Sequence, residues 1–141
     1  DHWVKEAEEG GGQVICGGKR ISESTYSPTV ILNPPHDSKV SRLEIFGPVI
    51  CVYSCESIEE ALSRANSLEY AFQAAVFSND FAEIMTVFNG VDATAVMIND
   101  HTAFRVDWMP FAGRKQSGYG TGGIGYTMED MTQLKMGVIN Y

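Results

Sequence analysis

Apolar positions near the start of the chain predict the end of a helix followed by short strands. Trp3, Val4 and Ala7 have the spacing of one helical face, and three glycines follow at residues 10–12, where a helix commonly ends. Two apolar runs come next, QVICGG at residues 13–18 and YSPTVIL at residues 26–32. Both are short and rich in β-branched residues, as strands are. NPPHDS, which follows the second run, predicts a turn.

The middle of the chain then alternates between strand and helix patterns. VICVYSC, residues 49–55, has few polar residues, which predicts a strand covered on both faces. Ser57 and Glu60 form a capping box, which marks the start of a helix. The apolar residues of that helix recur at the i, i+3, i+4, i+7 spacing of an amphipathic face. They are Ile58, Ala61, Leu62 and Ala65.

The same alternation is repeated further along. QAAVFS, residues 73–78, predicts a strand, and Asn79 or Asp80 is expected to cap the following helix. ATAVMIN, residues 93–99, predicts the next strand. A long glycine-containing loop follows at residues 100–125, then a helix near residues 127–133 with its methionines facing inward, and a last strand. Strands that alternate with capped helices predict an α/β fold, with βαβ units forming a largely parallel sheet and flanking helices.

Composition and charge narrow the classes of function. The net charge of −8 and the absence of a basic stripe argue against a nucleic-acid partner. No run approaches the roughly 20 apolar residues of a membrane-spanning helix, so no membrane partner is expected. The three cysteines are odd in number and have no metal-ligand spacing, which favours reduced thiols, a cytoplasmic location and no metal site. The chain begins at Asp1, and the residues after it have the pattern of the end of a helix, so we expect a piece of a longer protein.

Residues 118–123 spell G-x-G-x-x-G, a pattern typical of dinucleotide-binding loops. The true motif requires a buried strand that runs directly into the glycines. Here the preceding residues are FAGRKQS, which is no buried strand. The sequence therefore favours a flexible turn between strand and helix over a phosphate-binding loop.

Several other segments point to a family. They are GGQVICGGKR at 11–20, SPTVIL at 27–32, LEIFGPV at 43–49, SLEYAFQAAVFSND at 67–80 and VMINDHTAFRVDWMPFAGRKQSGYG at 96–120. In order and spacing, this set resembles the C-terminal part of the NAD(P)-dependent aldehyde dehydrogenases. The resemblance implies oxidation of an aldehyde to a carboxylic acid through a cysteine thioester, with NAD or NADP as cofactor.

The resemblance also implies that the catalytic residues lie outside this chain. In the family the nucleophilic cysteine, the glutamate base and the oxyanion-binding asparagine all precede the E-x-F-G-P motif, by more residues than this chain has before it. Cys16, Cys51 and Cys55 match none of these positions. We therefore expect no catalytic residue here and no activity from the chain alone. The alternative is a non-catalytic binding or assembly module with the same fold.

Two residues are expected to contact the cofactor. Glu44 matches the family glutamate that binds both hydroxyls of the nicotinamide-side ribose, a role that suits the two oxygens of a carboxylate. Phe46 would pack beside that ribose. A purely structural alternative is an exposed pair of Arg42 and Glu44 on one strand face, which would contribute little to stability.

Three residues of the loop after the last predicted βαβ unit are expected to bind substrate. Phe104 and Phe111 match positions at the mouth and near the reacting thiol, although both could simply anchor the loop. Arg105 could hold a carboxylate or phosphonate by paired hydrogen bonds. The segment NDHTAFRVDWMPF, residues 99–111, resembles branches of the family that act on small, often anionic aldehydes. Arg105 could equally pair with Asp107. We assign His101 to loop hydrogen bonding.

The end of the chain resembles the family tail that adds to the sheet of a neighbouring subunit. We therefore divide the chain into residues 1–133, part of the catalytic domain, and residues 134–141, a strand of the oligomerisation type. Val138 and Ile139 suit an edge strand that seeks pairing. A homo-oligomer is expected.

Overall fold

A computed structural model describes all residues, 1–141. The chain divides into two compact units, Asp1–Glu56 and Ser57–Tyr141. The predicted division into residues 1–133 and 134–141 stays a prediction. No helix of the chain is both long enough and apolar enough to cross a membrane.

The first unit combines two helices with a three-stranded sheet. Its elements are α1 (His2–Glu9), β1 (Gln13–Cys16), β2 (Thr29–Leu32), α2 (Lys39–Arg42) and β3 (Val49–Val52). The strand order is β1-β2-β3, with β1 antiparallel and β3 parallel to β2. The helix end and all three strands agree with the sequence pattern. The short helix α2 lies within the stretch after the predicted turn and was missed.

Helices α1 and α2 cover one face of this sheet. Val4, Ala7, Ile31 and Val40 form the buried cluster, and Cys51 packs against it from β3. Because side chains alternate across a strand, Ile50 and Val52 face the other way and are 63% and 42% exposed. The prediction that this strand is covered on both faces is therefore wrong for the unit as it stands.

The second unit contains a βαβ element and a small antiparallel pairing of two distant strands. Its elements are α3 (Ile58–Asn66), β4 (Tyr70–Ala71), β5 (Gln73–Val76), α4 (Phe81–Gly90), β6 (Ala95–Ile98), β7 (Arg114–Lys115) and α5 (Ile124–Asp130). Strands β5 and β6 are parallel and are joined through α4, which confirms the predicted βαβ unit. Strands β4 and β7 pair antiparallel and were missed, because two residues carry no periodic pattern.

The α/β class is confirmed, but the single largely parallel sheet is not. The strands form three small sheets, and the parallel pairs are β2–β3 and β5–β6. β1 and β2 are joined by a loop at residues 17–28 without a helix, so they pair antiparallel; a parallel connection needs a crossover.

The C-terminal part also differs from the prediction. The helix expected near residues 127–133 is α5, which begins directly after Gly123 and ends at Asp130. Met128 and Met131 are 63% and 82% exposed, not inward. Residues 132–141 form neither helix nor strand. The strand expected at 134–141 stays a prediction, because an edge strand of this kind requires a partner.

Asp80 caps α4, and its removal should destabilise the second unit. One carboxylate oxygen, Oδ1, accepts from the backbone N–H of Ala82 at 2.7 Å and of Glu83 at 3.2 Å. We expect Asp80→Ala to lower the free energy of unfolding by about 1 kcal/mol. Asp80→Asn, which keeps an accepting oxygen, should remain close to wild type. Urea denaturation followed by circular dichroism measures both, and an equal loss in the two variants would contradict the cap.

Candidate functional site

Glu44 and Phe46 lie on the turn between α2 and β3. Ile45 between them packs against the buried cluster of the first unit, so its two neighbours project outward. Phe46 is 94% exposed. The turn is closed by backbone hydrogen bonds, from Gly47 N to Ile45 O at 2.8 Å and from Thr29 N to Pro48 O at 2.8 Å. The fold therefore presents both predicted cofactor residues to solvent from a fixed turn.

The Glu44 carboxylate has no hydrogen bond or ion pair within the chain. The alternative reading, a pair with Arg42, is not formed. A carboxylate with both oxygens free can accept from two neighbouring hydroxyls. The residues at this turn therefore fit the ribose of a nicotinamide cofactor.

A cavity of about 370 Å³ opens beside Phe46. Phe46, Gly47 and Pro48 form one wall, and Trp3 and Tyr26 line it from α1 and from the loop before β2. Glu44 is not part of its lining. The sequence pattern assigned Trp3 to a helix face and Tyr26 to a strand, and it predicted neither as a site residue. The cavity gives a flat ring room next to Phe46.

The structure brings together two of the three predicted substrate residues. The guanidinium carbon of Arg105 lies 4.3 Å from the ring centroid of Phe111. The Phe111 ring in turn meets Phe72 edge to face, with centroids 4.9 Å apart. Phe104 makes no ring contact with either and is 46% exposed. Phe72 was missed, because it directly precedes the predicted strand at residues 73–78 and carries no motif of its own.

Arg105 forms no ion pair with Asp107. The backbone carbonyl of Asp107 accepts a hydrogen bond from Ile124 N at 3.1 Å. Arg105 is instead held by the face of Phe111, a contact that attracts a cation while leaving its N–H groups free. The loop thus presents an exposed guanidinium with unused donors.

The glycines at residues 118–123 serve the turn that holds Phe111. Phe111 N donates to Gly122 O at 3.0 Å, and Gly122 N donates to Phe111 O at 2.8 Å. Gly123 has φ +116°, and a Cβ there would lie 2.7 Å from Met109 O. The strand that precedes these glycines is β7, which has only two residues, and both are exposed. The structural interpretation of the G-x-G-x-x-G pattern agrees with this geometry.

His101 makes local contacts in an exposed loop. Its backbone N–H donates to Asp100 Oδ1 at 2.7 Å. Its Nε2 is 3.9 Å from the same oxygen, and the side chain is 73% exposed. This agrees with the assignment to loop hydrogen bonding.

The three thiols differ in their surroundings. Cys16 and Cys55 are exposed, whereas Cys51 is half-buried, with Sγ 3.7 Å from Val40 O. Burial raises the pKa of the Cys51 thiol. Because the thiolate is the reactive form, the buried thiol is the poorest nucleophile of the three.

We expect Cys51 to be alkylated more slowly than Cys16 and Cys55. A raised pKa means that less thiolate is present at any pH below it, and burial also restricts access. Iodoacetamide labelling of the folded chain near neutral pH, followed by peptide mass spectrometry, measures the three rates. Labelling in urea is the control, and there the three rates should converge. Fastest labelling at Cys51 in the folded chain would contradict the expected order.

Comparisons with known proteins agree on one family. The model of the aldehyde dehydrogenase family matches residues 1–136. A 3-sulfolactaldehyde dehydrogenase from Priestia aryabhattai is 39% identical over 140 residues, which are 99% of this chain and 29% of that protein. Aldehyde dehydrogenase 21 from Physcomitrella patens, crystallised with the reaction product succinate, superposes with a TM-score of 0.87 at 36% identity, over 92% of this chain and 27% of that one.

A second solved structure binds a cofactor. The glyceraldehyde-3-phosphate dehydrogenase from Methanocaldococcus jannaschii, in complex with NADP, has a TM-score of 0.87 and 36% identity, and covers 95% of this chain and 29% of that one. The chain spans less than a third of the length of each of these relatives. Family match, sequence identity and fold all agree: the chain belongs to the aldehyde dehydrogenase family.

Proposed function

We propose that this chain supplies part of the cofactor and substrate sites of an NAD(P)-dependent aldehyde dehydrogenase that oxidises a small, anionic aldehyde. The observation that carries the proposal is Arg105, an exposed guanidinium held at 4.3 Å over the Phe111 ring without a carboxylate partner. A cation fixed in this way, with free donors, suits a substrate that carries a carboxylate, sulfonate or phosphonate.

The cofactor half of the proposal rests on Glu44 and Phe46. Glu44 would accept hydrogen bonds from the two ribose hydroxyls, and Phe46 would pack against the sugar and the ring beside it. NAD or NADP, when bound, would be the oxidant that accepts a hydride from the aldehyde carbon. The NADP complex of the M. jannaschii relative supports this class of cofactor.

The substrate half rests on the loop around Phe111. Arg105 would hold the anionic group, Phe111 would border the reacting carbon, and Phe104 would lie at the entrance. Two relatives support an anionic substrate: one is a 3-sulfolactaldehyde dehydrogenase, and the other was crystallised with succinate. Both molecules carry an acidic group that a guanidinium can pair with.

The attacking cysteine is proposed to come from polypeptide outside these 141 residues. Cys51 is half-buried with a raised pKa, and Cys16 and Cys55 match no catalytic position of the family. In the overall reaction an aldehyde, water and NAD(P)⁺ give a carboxylic acid, NAD(P)H and a proton. The side chains described here bind and orient the reactants and make no covalent bond.

The C-terminal residues are proposed to pair with a second subunit in a cytoplasmic homo-oligomer. Val138 and Ile139 are 79% and 74% exposed, and Leu134 and Tyr141 are fully exposed. These exposed apolar side chains also favour the second candidate function, a non-catalytic assembly module. Aldehyde oxidation separates the two candidates.

The test is a comparison of two proteins. We expect the full reading frame that contains these residues to reduce NAD⁺ or NADP⁺ with succinic semialdehyde as the anionic probe, and more slowly with butanal. The 141-residue chain alone should give no turnover with either. No oxidation of any small aldehyde by the full protein would favour the assembly module. Turnover by the chain alone would refute an external cysteine.

A further inference from the structure

Lys115, on β7, has a backbone conformation that residues with side chains rarely adopt. Its φ is +53°, in the left-handed region that normally selects glycine. Such strain persists only where the surroundings enforce it, and it is concentrated at functional sites. The Lys115 ammonium has three acceptors: Asn66 O at 2.8 Å, Leu68 O at 2.9 Å and Asp92 Oδ2 at 3.3 Å. Each of its three N–H groups therefore has a partner.

The acceptors of this ammonium are themselves fixed. Asn66 is the last residue of α3, where the carbonyls attract positive charge. Its side chain donates to Gly90 O at 2.7 Å and accepts from Asp92 N at 2.8 Å. Asp92 Oδ1 lies 2.9 Å from Arg114 Nε. We call Asn66, Leu68, Asp92, Arg114 and Lys115 the lysine clamp; it ties the ends of α3 and α4 to β7.

The lysine clamp sets the position of β7 against β4. Tyr70 pairs with Lys115, and Ala71 pairs with Arg114. Ala71 N also donates to Ser117 Oγ at 3.0 Å. Phe72, the residue after β4, is the one whose ring meets Phe111. The β4–β7 register therefore fixes the backbone that presents Phe72 relative to the backbone that presents Phe111.

Arg114 and Lys115 lie inside a tight turn that begins two residues after Phe111. A Cβ on Gly113 would lie only 2.3 Å from the backbone of Ser117, so the chain at residues 113–117 folds closely on itself. Only Ala112 and Gly113 separate Phe111 from β7, so the backbone at Phe111 has little freedom to move relative to β7. The clamp thus holds the backbone close to the residue that presents the Phe111 ring, and the Arg105 guanidinium lies over that ring.

We propose that Lys115 is a positioning residue for substrate binding, which acts by fixing the Phe111 ring and, through that ring, the Arg105 guanidinium. This inference rests on the proposed function. Lys115 itself contacts no substrate; its ammonium stabilises a strained backbone whose register determines where the anion-binding side chain lies. Its loss should weaken binding of the anionic aldehyde more than it slows the reaction of bound substrate.

The test compares Lys115→Met and Lys115→Arg in the full enzyme. We expect Lys115→Met to raise KM for succinic semialdehyde about tenfold, with kcat within about twofold and a smaller rise in KM for butanal. Lys115→Arg, which keeps the charge, should recover part of the loss. Asp92→Asn, which leaves both carbonyl contacts in place, should show an intermediate effect. Lys39→Met is the matched control, because it removes an ion pair with Glu6 in the first unit.

A second measurement separates this inference from the proposed function. Nuclear Overhauser contacts between the Phe72 and Phe111 rings should weaken in Lys115→Met and persist in Lys39→Met, whether or not aldehyde is oxidised. A wild-type enzyme that oxidises no aldehyde would refute the proposed function and leave this readout to decide the positioning. Unchanged ring contacts in Lys115→Met, or equal effects on KM and kcat for both aldehydes, would overturn the role of Lys115.

Discussion

Arg105→Ala is expected to raise KM for an anionic aldehyde by about 10- to 100-fold, which corresponds to roughly 1.4–2.8 kcal/mol of lost binding. The guanidinium has no ion-pair or hydrogen-bond partner within the chain, so the substitution should act mainly on binding of the anion. For a neutral aldehyde of similar size, KM should change by less than about threefold. Steady-state kinetics of the full enzyme with succinic semialdehyde and butanal measure both effects.

The controls for Arg105 lie at two other positions. Arg64→Ala removes a guanidinium that pairs with Glu60 on α3, and it should leave both KM values near wild type. Phe111→Leu removes the ring beneath Arg105 and should raise KM for both aldehydes, because we propose that the ring also borders the substrate. Equal increases for the two aldehydes in Arg105→Ala would rule out an anion-binding role.

Glu44→Gln is expected to slow single-turnover hydride transfer about 10-fold or more, equivalent to at least roughly 1.4 kcal/mol in the barrier. The amide keeps the shape of the carboxylate but has one accepting oxygen, so the two ribose hydroxyls cannot both be held as before. The nicotinamide end of the cofactor should then be less well oriented towards the aldehyde. Stopped-flow measurement of NAD(P)H formation gives the rate.

Two variants test whether the effect is specific. Glu9→Gln alters an exposed carboxylate on the last residue of α1 and should leave the rate unchanged. Phe46→Ala removes an exposed ring and should therefore cost little stability. A slower hydride transfer in this variant would support contact between the cofactor and this turn. A wild-type single-turnover rate in Glu44→Gln would remove Glu44 from the cofactor site.

Local sequence signals were sufficient for most of the elements. The glycines at 10–12 follow α1, Ser57 caps α3 through Glu60 N, and Asp80 caps α4. These signals act over three or four residues, so they can be identified without knowledge of the tertiary structure. The resemblance to aldehyde dehydrogenases was also visible in the sequence alone, because several motifs kept their order and spacing.

Long-range contacts could not be predicted in the same way. Pairing of β4 with β7 joins residues more than 40 positions apart, and each strand has only two residues. The left-handed Lys115, with its three acceptors, also has no local pattern that marks it. The sequence could not decide whether Arg105 pairs with Asp107 or binds an anion. In the fold its guanidinium lies over the Phe111 ring and forms no ion pair with Asp107.

The sequence by itself therefore determined the family, the α/β class and the caps of the main helices, because these follow from local signals and from the order and spacing of segments along the chain. Only the tertiary structure decided how the strands divide among three sheets, which side of β3 is covered, and that Arg105, Phe111 and Phe72 form one group. Those features depend on which surfaces meet after distant segments fold together, and the free energy of that packing is not contained in any short window of residues.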